Sequence, residues 1–196
     1  MSAHPLTTFV YETFGQQFGD LLLAGYGAEP SGRRRRLYLT EAEAGVETHW
    51  VIELVSRHPP CGDAPLVLAA LLKLLLRCPS VAQHIEFDLG ELLAELQWRD
   101  EERTRQQVET AIGGYVRLLY DKQVDARVGQ HTSAAAGGGY YHLLTGYVRG
   151  AKSGAGSALD RTLGGVYFDS SFIDGLTRGR VCFAGIDSGP LKSPND

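Results

Sequence analysis

The residues with the most chemical reach lie between Arg99 and Arg127. Arg103, Gln106, Gln107 and Thr110 recur at three- and four-residue spacing, which places them on one face of a helix. Arginine and glutamine both present paired hydrogen-bonding groups in a plane. Arginine can grip O6 and N7 of guanine together, and glutamine N6 and N7 of adenine. Thr104 starts the same stretch, while Arg99, Arg105, Arg117, Lys122 and Arg127 flank it with charge suited to phosphate oxygens. Phosphate contacts supply affinity and register without reading sequence. The plainer reading of this face is a solvated helix side, whose Arg and Glu pairs add roughly a few tenths of a kcal/mol.

No other chemistry in the chain competes with it. The six histidines, His4, His49, His58, His84, His131 and His142, show no HExxH or paired spacing, so no metal site is expected. There is no GxxxxGK[ST] loop and no GxSxG elbow. Gly137–Gly139 does not lead into a helix, which removes a phosphate cradle. We therefore expect no catalytic residues, no cofactor and no enzyme activity.

Composition sets the class. Charged residues at 21% and hydrophobic residues at 43% of 196 suit a soluble globular chain. The longest apolar stretch, Leu66–Leu76, is interrupted by Lys73 and is too short for a bilayer. Without a basic region leading into an apolar one at the start, secretion is not indicated, and a cytoplasmic location is expected. Cys61, Cys78 and Cys182 lack CxxC spacing and read as reduced thiols. A net charge of −4 weighs against a strongly basic nucleic-acid binder. The acidic excess falls before Gln97, however, and residues 97–131 balance six basic against six acidic groups.

The elements that would position the arginine-bearing face can be read in order. Residues 1–35 are mixed and partly flexible. The run Arg33–Arg36 beside Gly and Ser reads as a solvated linker, with phosphate or an acidic partner as the alternative. Strands are predicted at Leu37–Thr40 and at Thr48–Val55, where Trp50, Ile52 and Leu54 alternate with their neighbours. Asp63 stands two residues before Pro65 as the N-cap of an apolar helix, Ala64–Arg77, ended by Pro79. A strand at His84–Phe87 leads to Asp88, which with Glu91 forms a capping-box-like pair for a helix to about Gln97.

The third helix is predicted over about Glu101–Tyr120, with Val108, Ala111, Ile112, Tyr115, Leu118 and Leu119 as its apolar stripe. Gly113–Gly114 within it costs roughly 1 kcal/mol per glycine relative to alanine. Either another backbone approaches closely there or the helix breaks. Strands at Gln123–Val128 and Tyr140–Val148, around a small-residue loop Gly129–Gly139, then make a wing. Tyr140 and Tyr141 pack at its base or stack on a partner. Val166–Phe168 and Ser170–Thr177 suggest one more strand and a short helix.

These pieces resemble a family. The tryptophan-bearing strand, the aspartate opening a leucine-rich helix, "DLGELLAELQW", and "IGGYVRLLYDKQV" resemble plasmid replication initiators of the replication initiator protein A type. "VYFDSSFIDGLTRG" is similar to that family's connection out of its first domain. The resemblance spans about Thr48–Gly179. It implies a winged helix that binds origin DNA or pairs with a second copy, working with host replication proteins. Its reading helix would be Arg103–Leu119 and its wing Gln123–Tyr147.

The expected architecture is α+β: a winged helix-turn-helix with additional N-terminal strands. Residues 36–149 form the winged-helix domain. Residues 150–184 form a linker and partial connection to an absent second domain, and 185–196 a disordered tail. The expected function is recognition of double-stranded plasmid-origin DNA by a replication initiator or its amino-terminal half, as a homodimer, with no membrane partner. Two alternatives stand. One is a dimerisation module acting through Leu66–Leu76 and the strand at Trp50. The other is an autoregulatory transcription regulator without initiator activity.

Overall fold

The computed structural model describes residues 4–28, 35–43, 46–55, 60–78, 82–128, 131–149, 163–177, 180–183 and 186–190. In chain order these form α1 (Pro5–Leu22), β1 (Arg35–Glu43), β2 (Val46–Val55), α2 (Ala64–Arg77), β3 (His84–Asp88), α3 (Leu89–Glu95) and α4 (Glu102–Val116). Then come β4 (Leu119–Val128), β5 (His131–Tyr141), β6 (Leu144–Arg149), β7 (Leu163–Phe168), α5 (Ser170–Thr177), β8 (Arg180–Phe183) and β9 (Ile186–Pro190). The class is α+β, as expected.

The core is built around α2. Its leucines, valine and alanines leave no polar side on which water could be kept, so the helix is covered on nearly every face. Val67, Leu68, Ala70, Leu71, Leu72 and Leu75 are all fully buried. Each large side chain so covered contributes roughly 1.5–3 kcal/mol. This disposes of α2 as a dimer surface, because the chain itself consumes Leu66–Leu75. The strand carrying Trp50 has both edges paired, with β1 on one side of β2 and β4 on the other.

Helix α1 stands where a mixed, partly flexible segment is expected. Leu6, Val10, Phe14 and Phe18 recur every fourth residue and are buried. His4 opens it: its Nδ1 accepts from the Leu6 N–H at 3.2 Å, while Nε2 lies 3.3 Å from the Leu96 carbonyl. An Nε2–H tautomer satisfies both. Gly15, at φ 76° and ψ 171°, is non-helical and divides α1 into two helical segments joined at a kink. Aromatic contacts carry α1 to the far end of the fold, with Phe14 on Phe18, Phe18 on Phe172 of α5, and Phe172 on Phe168 of β7.

Three strands close one side of the core in the order β3-β7-β6, all antiparallel. Ile85, Phe87, Leu144, Val166 and Phe168 are buried and alternate along their strands, as a half-buried sheet requires. Gly164 is needed here. A Cβ at that position would lie 2.6 Å from the Phe87 ring.

The hairpin expected as the wing is elsewhere. β4 and β5 join β1 and β2 in a separate sheet of order β1-β2-β4-β5. Alternation reveals that a segment is a strand but not which strand it pairs with. The loop expected at Gly129–Gly139 is mostly strand β5, paired with β4 from Tyr120↔Tyr141 to Val128↔His131 with a register shift between Val124 and Ala126. The predicted third helix stops at Val116 rather than Tyr120, where Leu119 begins β4. Within the expected connection and tail, β7 and α5 enter the core and Ile186–Pro190 pairs with β8. The linker Gly150–Leu159 and the last residues of the tail lie outside the described residues.

An ion cluster orients α3 on α2. Lys73 and Arg77, one turn apart, converge on Glu95, with Lys73 Nζ 2.8 Å from its Oε2. Burial pushes the Glu95 carboxyl up, but the two cations outweigh it and hold it below the usual range. A lowered folded-state pKa gives stability that is present above the unfolded glutamate value, about 4.3, and lost as pH falls through the folded one. Glu95→Gln should therefore melt lower than wild type at neutral pH, and the difference should shrink below about pH 4. A constant gap in melting temperature across pH 3–7 would contradict this. Leu72→Ala should cost about 2–5 kcal/mol in denaturant unfolding.

Candidate nucleic-acid interface

The start of α4 is set by its own polar residues. The Thr104 hydroxyl accepts from the Glu101 N–H at 3.1 Å and lies 2.7 Å from the carbonyls of Arg99 and Glu101. Thr104, expected at the interface, is thus committed to the helix start. Arg105 grips Asp100 with both arms of its fork, Nε at 2.6 Å and Nη2 at 2.8 Å, which holds the Asp100 carboxyl below its usual range. Gln106 donates to Glu102 at 3.0 Å.

The inner face of α4 is the predicted stripe. Val108, Ala111, Ile112, Tyr115 and the following Leu118 are all buried against the core. On its flank, Glu109 pairs with Arg149 of β6, tying the helix to the three-stranded sheet. With these sides anchored, the side bearing Arg103, Gln107, Thr110 and Arg117 has to face outward. All four are exposed, and among the described residues none of them makes an ion pair or side-chain hydrogen bond. The helix runs unbroken through Gly113 and Gly114, so the expected local break is absent.

This outer face does not stand alone. Arg103, Gln106, Gln107, Thr110, Gly114 and Arg117 form one wall of an open cleft of about 1130 Å³. The other wall is the entry to α2, with Cys61, Gly62, Asp63, Ala64 and Val67, and Trp98 also lines the space. Asp63 occupies the N-cap position expected of it, but its carboxylate makes no capping bond. No sequence signal joined this second wall to α4, because the two are about forty residues apart and meet only through packing of α2 on α4.

Of the residues predicted to bind, five share this cleft: Arg103, Gln106, Gln107, Thr110 and Arg117. Arg99 is exposed but outside it. Lys122 and Arg127 belong to β4, opposite Ile52 and Glu47 of β2, in a sheet other than the three-stranded one. Their side chains, like those of Tyr140 and Tyr141, lie outside the described residues, as do Arg33 and Arg34. Cys61 and Cys78 are free thiols. Among the described residues, no helix is long and apolar enough to cross a membrane.

No protein-family model matches the sequence, and no curated protein matches it. Solved structures do share the fold. The crystal structure of RctB domains 2–3 superposes with a TM-score of 0.52 at 17% identity, covering 80% of this chain and 58% of that one. A selenomethionine derivative of domain 2 and domain 3 of RctB gives 0.52 at 16% identity, over 90% of this chain and 62% of that one. The chain thus spans about three fifths of the length of those fragments. At such low identity the likeness is one of fold.

Proposed function

We propose that this chain is a duplex-DNA-binding module of a replication initiator, reading DNA through the outer face of α4. The carrying observation is that face itself. Among the described residues Arg103 and Arg117 stand exposed and unneutralised beside Gln107 and Thr110, on a helix whose opposite side is anchored. Unpaired guanidinium groups beside carboxamides suit base edges and phosphates, and they serve no structural need of the chain. The fold shared with domains 2–3 of RctB, a replication initiator, supports the same class.

The reading is a winged helix-turn-helix made of α2, β3, α3, α4, β6 and β7. The α3–α4 pair would be the helix-turn-helix and the β6–β7 hairpin the wing, in place of the hairpin at Gln123–Tyr147. This is the order helix, strand, helix, helix and returning hairpin, with the last strand paired to the first. The plasmid initiator type, a homodimer, origin duplex and host replication proteins as partners, and a cytoplasmic location belong to the same proposal. So does the absence of enzyme activity.

The test is binding to a plasmid-origin duplex across a salt series. Affinity should fall steeply as salt rises, because phosphate contacts release counterions. Arg103→Ala with Gln107→Ala should relax sequence preference, each lost bidentate contact being worth about 1–3 kcal/mol. Unchanged origin affinity in the double variant would remove α4 from the reading role.

A further inference from the structure

Gly114 is the residue of α4 that the fold least explains. A glycine inside a helix is destabilising relative to alanine, and the usual compensation is a neighbouring backbone that a Cβ would strike. Here a Cβ at Gly114 would meet nothing within 4 Å among the described residues. The position is not needed for a positive φ either, since α4 is regular through it. The space that the missing methyl leaves opens into the cleft, one turn from Thr110 and beside Arg117.

The contents of that cleft narrow what could fill it. Among the described residues, Arg103 and Arg117 face it without partners, against the single carboxylate of Asp63. Small apolar side chains, Ala64 and Val67 of one wall and Ala111 of the other, also line it. The volume, about 1130 Å³, exceeds the roughly 300–1,000 Å³ typical of small-molecule pockets. An open cleft with two arginines against one carboxylate, and a bare stretch of helix, suits a polyanion.

We infer that the cleft is the seat of one sugar–phosphate strand of duplex DNA, with Gly114 as a notch that lets the strand approach the helix and Arg117 as its phosphate clamp. This rests on the DNA-binding reading above and adds a division of labour to it. The first turns of α4 would read bases, and its last turn would hold backbone. A side chain at Gly114 would hold the strand away and lengthen the Arg117 contact, whatever the base sequence.

The experiment compares wild type with Gly114→Ala, Gly114→Leu, Arg117→Ala and Arg103→Ala. Melting temperature and affinity for origin and random-sequence duplexes are measured at two salt concentrations. Gly114→Ala should melt a few degrees higher than wild type, because helix propensity improves without a clash. It should nevertheless bind both duplexes about tenfold more weakly, and Gly114→Leu more weakly still. Arg117→Ala should lower affinity on both duplexes and reduce the salt slope by about one. Affinity within twofold of wild type in Gly114→Leu, beside a clear loss in Arg103→Ala, would overturn the notch and leave DNA reading standing. No retardation of either duplex by the wild-type chain at low salt would overturn both.

Discussion

The structure depends on the burial of α2. A helix with Leu66, Leu68, Leu71, Leu72, Leu74 and Leu75 on every side cannot meet water on any of them without a large loss, so other elements must surround it. α1, α3 and α4 all pack against it. The single polar breach in its surface, Lys73 with Arg77, is used to fasten α3 through Glu95. The placement of these three helices follows from where α2's faces point.

For α4 the consequence is functional. Val108, Ala111, Ile112 and Tyr115 bind one side of the helix to the core, and Glu109 holds its flank to β6 through Arg149. The rotation of α4 about its axis is thereby settled, and with it the direction in which Arg103, Gln107, Thr110 and Arg117 project. A face presented by a rigid helix loses little freedom on binding, which is what precise contacts with base edges require. Where a polar residue of α4 does serve the fold, as Thr104 and Arg105 do, it has been drawn into the helix start.

Local pattern made several elements legible. The three- and four-residue spacing of the α4 stripe, the Asp88 cap, which accepts from Gly90 and Glu91 N–H groups, and the all-apolar α2 correspond to what the chain folds into. Each is a relation between residues within one or two helical turns. α1 was equally periodic at Leu6, Val10, Phe14 and Phe18, but Gly15 interrupts the run and its aromatic residues find their partners only at Phe168 and Phe172. The hairpin at Gln123–Tyr147 was recognised as strand and misplaced in the fold. Its pairing partner, β2, lies some seventy residues earlier, and alternation carries no record of that partner.

The sequence by itself determined which faces had to be hidden and which residues could reach outward, because periodicity converts directly into helix sides and strand sides. It thus put forward Arg103, Gln106, Gln107, Thr110 and Arg117 together with Arg99, Thr104, Arg105, Lys122 and Arg127, and of these ten the first five line one cleft. Only the tertiary structure decided what stands opposite them. Docking of α4 on α2 brings Cys61–Ala64 across from the arginine face and leaves Gly114 facing open space, while β6 and β7 rather than β4 and β5 close on β3. The physical reason is that burial energy depends on area removed from water, not on distance along the chain. Contacts between distant segments are chosen by how whole surfaces fit, and no local pattern can state that choice in advance.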